Sequence, residues 1–557
     1  AQWAPPGTGG VAALAHLLGQ LGANKRVLVI GAHPDDENTQ LLVLLSHGLG
    51  AQAAYLSLTR GEGGQNLIGP ELGPALGIIR TAELLAAREL DGARQFFTRA
   101  YDFGFSKSAA ETFRFWPRDA ILADVVAVIR RFRPHIIVSI FSGTPRDGHG
   151  HHQVAGLMAR QAFDLLRDSA GGPVKLYQSA RFDSTATMLT LPVGTLDPVL
   201  GQSYYQVAMA SRSRHRSQDM GQLQPPGPRS TRLALLAAKP GTAEATGPLF
   251  AGIDTTVRAP GYAPLIDSAR MALNPWRPEA VLPYLVRAAR ALGGADAGQR
   301  ALLDRAIAVA AGVAVDGTAD DDIVVQGQRV QVEVTVWNAG AGTVRVDSVR
   351  VHVPAGWGTI RLDPVTATVD PGALATRRFV VTVARDAERS HPYFLRRPRT
   401  SAGGLYDWTG VPADLRGMPF APPPVRARVS LTIAGVPVAL EREVVYRYRD
   451  QAIGEVRKPL LVTRAFDVAL TPDEILWPVD GGAGGTRTAR RFTVTITNRA
   501  RGPAVARTAI TAPRGWPPVP AESLAFDRED ETKSVTVSLA PPATLAPGAY
   551  ELRAAVQ

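Results

Sequence analysis

The hydrophobic period of this chain changes once, near residue 315, and that change limits the folds open to it. Before 315, short apolar runs alternate with segments whose apolar residues recur every three or four positions. After it, apolar and polar residues alternate, as in RVQVEVTVWNAG (329–340), VRVDSVRVHV (344–353), RRFVVTVAR (377–385) and RARVSLTIAG (426–435). A helical period does not settle into a strand, nor a strand period into a helix. The chain therefore reads as an α/β unit followed by an all-β region. Its 557 residues exceed what one core holds together, and suggest about three domains.

In the first part, RVLVIG (26–31), QAAYLSL (52–58) and HIIVSIF (135–141) read as buried strands. Helical patterns lie at 37–48, 78–92, 118–132 and 152–167. Such alternation predicts a Rossmann-like, mostly parallel sheet covered on both faces. Residues 170–235 are less regular, and 262–312 turn helical again. The later alternating strands, with Gly and Pro turns between them, predict Ig-like β-sandwich modules. VEVTVWNAGAGTVRVDSVRVHVPAGW (332–357) resembles FTVTITNRARGPAVARTAITAPRGW (492–516), so two related modules are expected in tandem. The expected divisions are 1–245 (α/β), 246–314 (helical), 315–455 (first sandwich) and 456–557 (second). A long aperiodic stretch, 390–420, interrupts the first sandwich. Its Tyr393, Trp408 and Phe420 are expected to pack against the neighbouring domain.

The net charge is +11, but the Arg residues are scattered and do not alternate with aromatics, which disfavours a nucleic-acid partner. There are no cysteines, so disulfides, thiolate metal sites and a Cys nucleophile are excluded. No apolar run reaches the roughly 18 residues of a membrane span. The opening AQWAPPGTGG reads as the start of a mature chain after signal removal, so a secreted or periplasmic protein is expected.

The chemistry is concentrated behind two of the strands. VLVIGAHPDDENTQ (27–40) delivers His33, Asp35, Asp36 and Glu37 to the carboxyl end of the first strand. SGTPRDGHGHHQ (142–153) delivers His149, His151 and His152 behind the third. Sites in open α/β sheets form at such strand ends. Two histidines, one carboxylate and a water make a catalytic zinc site. Zinc brings a bound water's pKa towards about 7, and a second carboxylate beside it can take the proton. A nearby imidazolium can stabilise an oxyanion or protonate a leaving group. This arrangement suits metal-assisted hydrolysis of an amide or ester.

AHPDDE (32–37), TRGEGG (59–64), RTAE (80–83) and the HxxH of 149–152 together resemble the PIG-L/LmbE-like family of zinc-dependent de-N-acetylases. The resemblance covers roughly residues 25–230. It implies one Zn²⁺ per chain on His33, Asp36 and His152, with Asp35 as general base. It implies that His149 polarises the carbonyl and assists protonation, and that the substrate is an N-acetylated sugar or glycoconjugate. The family commonly reads His-Pro-Asp-His where this chain has His149-Gly150-His151-His152. His151 then substitutes for the missing Asp or competes as a ligand, and Asp147 is a second source of the carboxylate.

Weaker expectations surround these. Asn66, Arg80 and Asp102 are candidate substrate contacts, with Arg60 at the site's edge. For Arg80 the competing reading is a helix-surface or Glu83 pairing. Glu37 and Glu62 are expected to support the ligands, or, for Glu62, to make a turn salt bridge. His215 reads as structural. Two other functions stay open: hydrolysis of a non-sugar amide, and a glycan-binding surface protein with a vestigial site. The intact His-Pro-Asp-Asp weighs against the latter.

Overall fold

The computed structural model describes residues 7–180, 188–242, 247–364, 367–400, 403–477, 488–542, 546 and 548–556. The division expected at 245/246 lies outside the described residues. The chain opens with α1 (Gly10–Gln20), β1 (Arg26–Gly31), α2 (Thr39–Val43), β2 (Gln52–Ser57), α3 (Pro74–Asp91) and β3 (Arg94–Phe97). Then come α4 (Ala109–Thr112), α5 (Arg118–Phe132), β4 (Ile136–Ser139), α6 (Gly150–Leu166), β5 (Lys175–Ser179) and β6 (Met188–Pro192). A short hairpin, β7 (Leu196–Asp197) and β8 (Gln202–Ser203), leads to α7 (Tyr204–Arg212) and β9 (Ser230–Ala238).

These strands form one sheet in the order β3-β2-β1-β4-β5-β9-β6, outside the hairpin. The first five run parallel, whereas β9 lies antiparallel to both its neighbours. From β1 the chain runs outwards to β2 and β3, then crosses back to place β4 on the other side of β1. The crevice at such a switch point is where open sheets bind ligands. Register pairs Val27 with Ile136 and Ile30 with Ser139, so the segments leaving β1 and β4 emerge side by side.

Strand β1 is apolar on both faces because both faces are covered. Leu28 and Ile30 join a cluster with Val125, Ile129 and Phe163 of α5 and α6. Val27 and Val29 join another with Leu41, Leu42 and Leu84 of α2 and α3. Each such buried side chain contributes about 1.5–3 kcal/mol. Helix α3 starts at Pro74 and stops at Gly92, whose φ of 72° suits glycine and whose N–H returns to Arg88 O at 2.9 Å.

Three further helices follow, α8 (Tyr262–Met271), α9 (Leu282–Leu292) and α10 (Ala297–Ala310). Leu14, Leu17 and Leu18 of α1 are buried with Ile266, Leu285, Leu303 and Ile307 of these helices. Helix α1 thus packs with the helical layer.

Among the described residues beyond 312, the regular elements are strands apart from one short helical turn at Tyr393–Leu395. Arg329–Asn338 pairs antiparallel with Val313–Ala319 and Leu374–Thr382 inside a six-stranded sheet, which extends to Pro459. Val344–His352 pairs with Arg426–Ile433 inside a four-stranded one. Alternate residues from both, Val332 and Val334 with Val346, Val429 and Leu431, share a single buried cluster. Among the described residues of 466–556 there are two three-stranded sheets. The repeat read from the sequence has a structural counterpart. Asn338 and Asn498 are both fully buried at strand ends, and each amide donates to neighbouring backbone carbonyls: Gly342 and Val369 for the first, Ala500, Gly502 and Arg528 for the second.

The aromatic stretch from 390 to 420 leaves the β region and lies on the α/β sheet. Tyr393, Phe394, Tyr406, Trp408 and Val411 bury themselves with Tyr101, and Phe420 packs against them. Phe97 N donates to Gly417 O, and Tyr101 N to Gly404 O, both at 2.9 Å. The stretch thereby covers the exposed edge of β3, which would otherwise present unpaired backbone groups.

Candidate active site

The turn after β1 is built around Asp36. Its Oδ2 accepts from Ala32 N at 3.0 Å and His33 N at 2.7 Å. The same oxygen lies 3.3 Å from His33 Nδ1, and Oδ1 lies 3.6 Å from His152 Nε2. Burial works against the Asp36 charge, but His33 and the donors around it hold the carboxyl well below the usual range. Gly31 permits this closeness: a Cβ there would stand 2.4 Å from Tyr55 Oη and 3.1 Å from Asp36 Cβ. Tyr55 uses that hydroxyl to donate to His33 O at 2.6 Å.

Asp35 occupies the tip with φ 98°, a region L-residues rarely adopt. Its surroundings pin it there. Asp35 N donates to Glu37 Oε2 at 2.9 Å, Arg212 donates to Asp35 O at 3.0 Å, and Arg80 reaches Asp35 Oδ1 at 3.2 Å. Burial pushes the Asp35 carboxyl up to about 6, against the pull of Arg80. Such strain persists only where the surroundings hold it in place.

The second histidine group sits at the start of α6. His149 caps the helix, and His151 and His152 lie in its first turn. His33 is central, with ring centroids 5.2, 5.3 and 5.1 Å from His149, His151 and His152. The loop between β4 and α6 fixes His152. Its Nδ1 meets Asp147 O at 3.3 Å, and its ring stacks on Phe141 at 4.0 Å, leaving Nε2 towards Asp36. Gly150 is needed where the loop before α4 closes in, since a Cβ would fall 2.3 Å from Ser108 O.

Two sets of three ligating groups converge here, with atoms within 4.8 Å of one another: His33, Asp36 and His152, and His33, His149 and His151. The first fits a zinc-class cation. It offers two imidazoles and a carboxylate without thiols, and the Nδ1 contact of His152 leaves its Nε2 lone pair available. His151 is fully buried between Trp116, stacked at 4.1 Å, and His149, at 4.3 Å. Its Nδ1 lies 3.0 Å from His33 Nε2 and 3.7 Å from Asp102 Oδ1, while its Nε2 has no partner. Burial and the neighbouring imidazoles keep His151 and His149 neutral, His149 pushed down to about 4.

Asp102 also belongs to the site. Its Oδ2 stands 3.8 Å from His33 Nε2, and its Oδ1 accepts from Gly104 N at 2.9 Å. Beside it, Phe105 is 73% exposed with its ring 5.0 Å from His149, a free apolar face at the mouth.

Several expected contacts fall elsewhere. The Asp147 carboxylate does not replace the missing Asp. It is taken up by Ser142, Gly143 and Thr144, and only its backbone oxygen serves His152. Arg60 offers no face to a substrate. It is fully buried, lies 3.6 Å over the Phe394 ring, and donates to Met418 O and Pro419 O. Arg80 is not on the surface and does not pair with Glu83. It is buried beneath the turn, donating to Pro34 O, Gly61 O and Asp35, while Glu83 accepts from Ser217. Asn66 spends its amide within its own loop, on Glu71 and Ile68. Glu62 makes no turn salt bridge. It accepts from Tyr406 Oη at 2.6 Å and Asp102 N at 3.1 Å.

Glu37 faces away from the histidines. It is fully buried, meets His215 Nε2 at 2.9 Å and Arg88 at 3.0 Å, and is held well below its ordinary value by these neighbours despite burial. Arg88 also binds Asp91 at 2.7 Å, so a buried ionic network underlies the turn. Arg88 and Tyr55 were not read from the sequence, and Arg212 only as part of the polar segment 203–218. Nothing local marks them, because each meets the turn from a distant element.

Comparison with known proteins places this site in context. Residues 28–163 match the PIG-L family, described as GlcNAc-PI de-N-acetylase. Residues 324–396 match the NPCBM-associated NEW3 domain of alpha-galactosidase. The chain is 33% identical over 168 residues to a 1D-myo-inositol 2-acetamido-2-deoxy-alpha-D-glucopyranoside deacetylase of Geodermatophilus obscurus, covering 27% of this chain and 56% of that protein. It is 35% identical over 147 residues to the protein of that name in Rhodococcus jostii, covering 23% and 49%. The chain thus spans about half the length of these curated relatives. N,N'-diacetylchitobiose deacetylase from Pyrococcus horikoshii aligns at 16% identity and a TM-score of 0.27, covering 35% of this chain and 71% of that one.

Proposed function

We propose, from the match of residues 28–163 to the PIG-L family model, that the chain is a zinc-dependent hydrolase that removes the acetyl group from an N-acetylated sugar or glycoconjugate. The observation that carries this reading is the convergence of His33, Asp36 and His152 beside the strained, buried Asp35. His33 and His152 would hold the cation through imidazole nitrogens and Asp36 through a carboxylate oxygen. Bound there, zinc supplies Lewis acidity, acidifying a water and polarising the acyl oxygen.

The remaining work falls to the chain's own residues. Asp35 takes the proton from the attacking water, its carboxylate aimed by Arg80. His149, neutral and half-buried at the start of α6, donates a hydrogen bond to the acyl oxygen and relays to the departing amine the proton that Asp35 took from the water. Asp102 orients His33 and His151 and remains a candidate for a sugar hydroxyl. His151 fills the place of the family's Asp, set by Trp116 and His149. Phe105 favours a sugar over other amides, because an exposed ring beside the acyl site suits a pyranose face.

The β region, read as two Ig-like sandwich modules, braces this site through the aromatic stretch between 390 and 420. We place the protein outside the cytoplasm, where N-acetylated glycans are accessible.

Acetate release from a panel of N-acetylglucosamine conjugates, chitin oligomers and non-sugar acetamides tests the proposal. Turnover of the sugars alone supports it. Turnover of the non-sugar amides alone moves the assignment to the other substrate class.

A further inference from the structure

Among the described residues, one group of metal-ligating side chains shares nothing with the site above: His16, His47 and Asp197. We propose that these three residues form a second cation site, structural in role, for a divalent transition metal of the zinc class.

The geometry is that of a slightly open ligand triangle. His16 Nε2 lies 3.2 Å from Asp197 Oδ2, and His47 Nδ1 lies 3.8 Å from the same oxygen. All three ligating atoms fall within 4.8 Å of one another. A tetrahedral centre with bonds of about 2.0–2.1 Å places its ligands about 3.3 Å apart, so small rotations of the two rings close the triangle. The rings stack, with centroids 4.2 Å apart and planes 24° from parallel, and each turns one nitrogen towards Asp197 Oδ2.

A second observation points to a ligand. His47 Nδ1 is buried and has no hydrogen-bond partner, on a side chain only 10% exposed. Leaving such an atom unsatisfied is costly, and the simple His16–Asp197 pair does nothing for it. Burial, with the adjoining His16, keeps His47 neutral, the form that ligates.

The site is also built to stay in place. Asp197 Oδ1 is held by Val199 N at 2.8 Å, which fixes Oδ2 towards the rings. His47 rides on a wide helical turn, Leu44–Gly48, that continues α2 with five-residue spacing; such turns recur at functional positions. The His16 side chain is 21% exposed, giving water access to a fourth position.

The three ligands come from α1, the turn after α2, and β7. Helix α1 packs with the helical layer, whereas the other two belong to the α/β part. A cation here pins the helical layer to the α/β part. Its role is stability: among the described residues the group has a single carboxylate, and Asp197 is already held by its own loop.

The test is metal counting on the full chain. Chelator-stripped protein is reloaded with Zn²⁺, desalted and analysed for zinc per chain. Wild type should hold two, His16→Gln and His47→Gln one each, Asp36→Ala one, and Asp36→Ala with His47→Gln none. In the Asp36→Ala background, zinc should raise the melting temperature by roughly 5 °C, and the added His47→Gln should abolish the rise. Cobalt substitution in Asp36→Ala should give the visible absorption of a tetrahedral centre. One zinc in wild type, unchanged by His16→Gln and His47→Gln, would overturn the second site and leave the first intact. Two zincs with neither lost in these variants would equally overturn it. Circular dichroism of each variant separates loss of metal from loss of fold.

Discussion

The Tyr406 hydroxyl donates to Glu62 Oε1 at 2.6 Å across 344 residues of chain. Glu62 passes the contact on, its other oxygen accepting from Asp102 N at 3.1 Å. Asp102 in turn faces His33 and His151. The aromatic stretch of the β region therefore positions a residue of the site without entering it.

Tyr406→Phe should leave Glu62 buried with one oxygen unsatisfied. A hydrogen bond to a charged group is worth about 1.5–3 kcal/mol, so stability should fall by that order. Because the pair also positions Asp102, kcat/KM should drop several-fold with zinc content unchanged. Urea unfolding and steady-state kinetics on one preparation separate the two effects.

Asp35→Asn keeps the size of the side chain and removes the base. The kcat should fall by about 10²–10⁴ while zinc binding persists, because Asp35 is not a ligand in this account. Metal analysis alongside the kinetics checks both halves.

Gly31→Ala places a methyl group where Tyr55 Oη and Asp36 Cβ already stand, at 2.4 and 3.1 Å. Displacing Asp36 should weaken zinc affinity at the first site and leave α/β secondary structure intact. Competition with a chromogenic chelator measures the change.

Glu37→Ala breaks a buried ion network by removing one partner from Arg88 and His215. Such losses cost about 3–5 kcal/mol, so the variant should be strongly destabilised although Glu37 does not face the substrate. Chemical denaturation reads this directly.

A pH effect follows from the β region. Burial pushes Glu443 up to about 7 from its ordinary 4.5, against Arg426 and Arg442. Between those values the folded state keeps a proton that the unfolded state releases. Its contribution is therefore full below about pH 4.5 and is lost as pH rises through about 7. Glu443→Gln should flatten the decline in melting temperature across that window.

The sequence made the active site legible because its ligands follow apolar runs. RVLVIG and the strand before His149 could only be central strands, and their register sets both histidine groups side by side. Strands β3, β5, β6 and β9 were not read: they are short or sit in the irregular stretch after α6, where neither period persists. Asp147 and Arg60 were misjudged for a different reason. Whether a charged side chain reaches a cleft depends on what else competes for it. For Asp147 that was its own loop, and for Arg60 a segment more than 330 residues away. His16, His47 and Asp197 carry no local pattern at all, since three separate elements bring them together.

The most direct test is a zinc titration of chelator-stripped protein, following acetate release from an N-acetylglucosamine conjugate. Activity should be absent without metal and return with added zinc in wild type, but not in Asp36→Ala. Full activity in the stripped protein, or recovery that survives Asp36→Ala, would contradict the assignment of His33, Asp36 and His152 as the catalytic metal site.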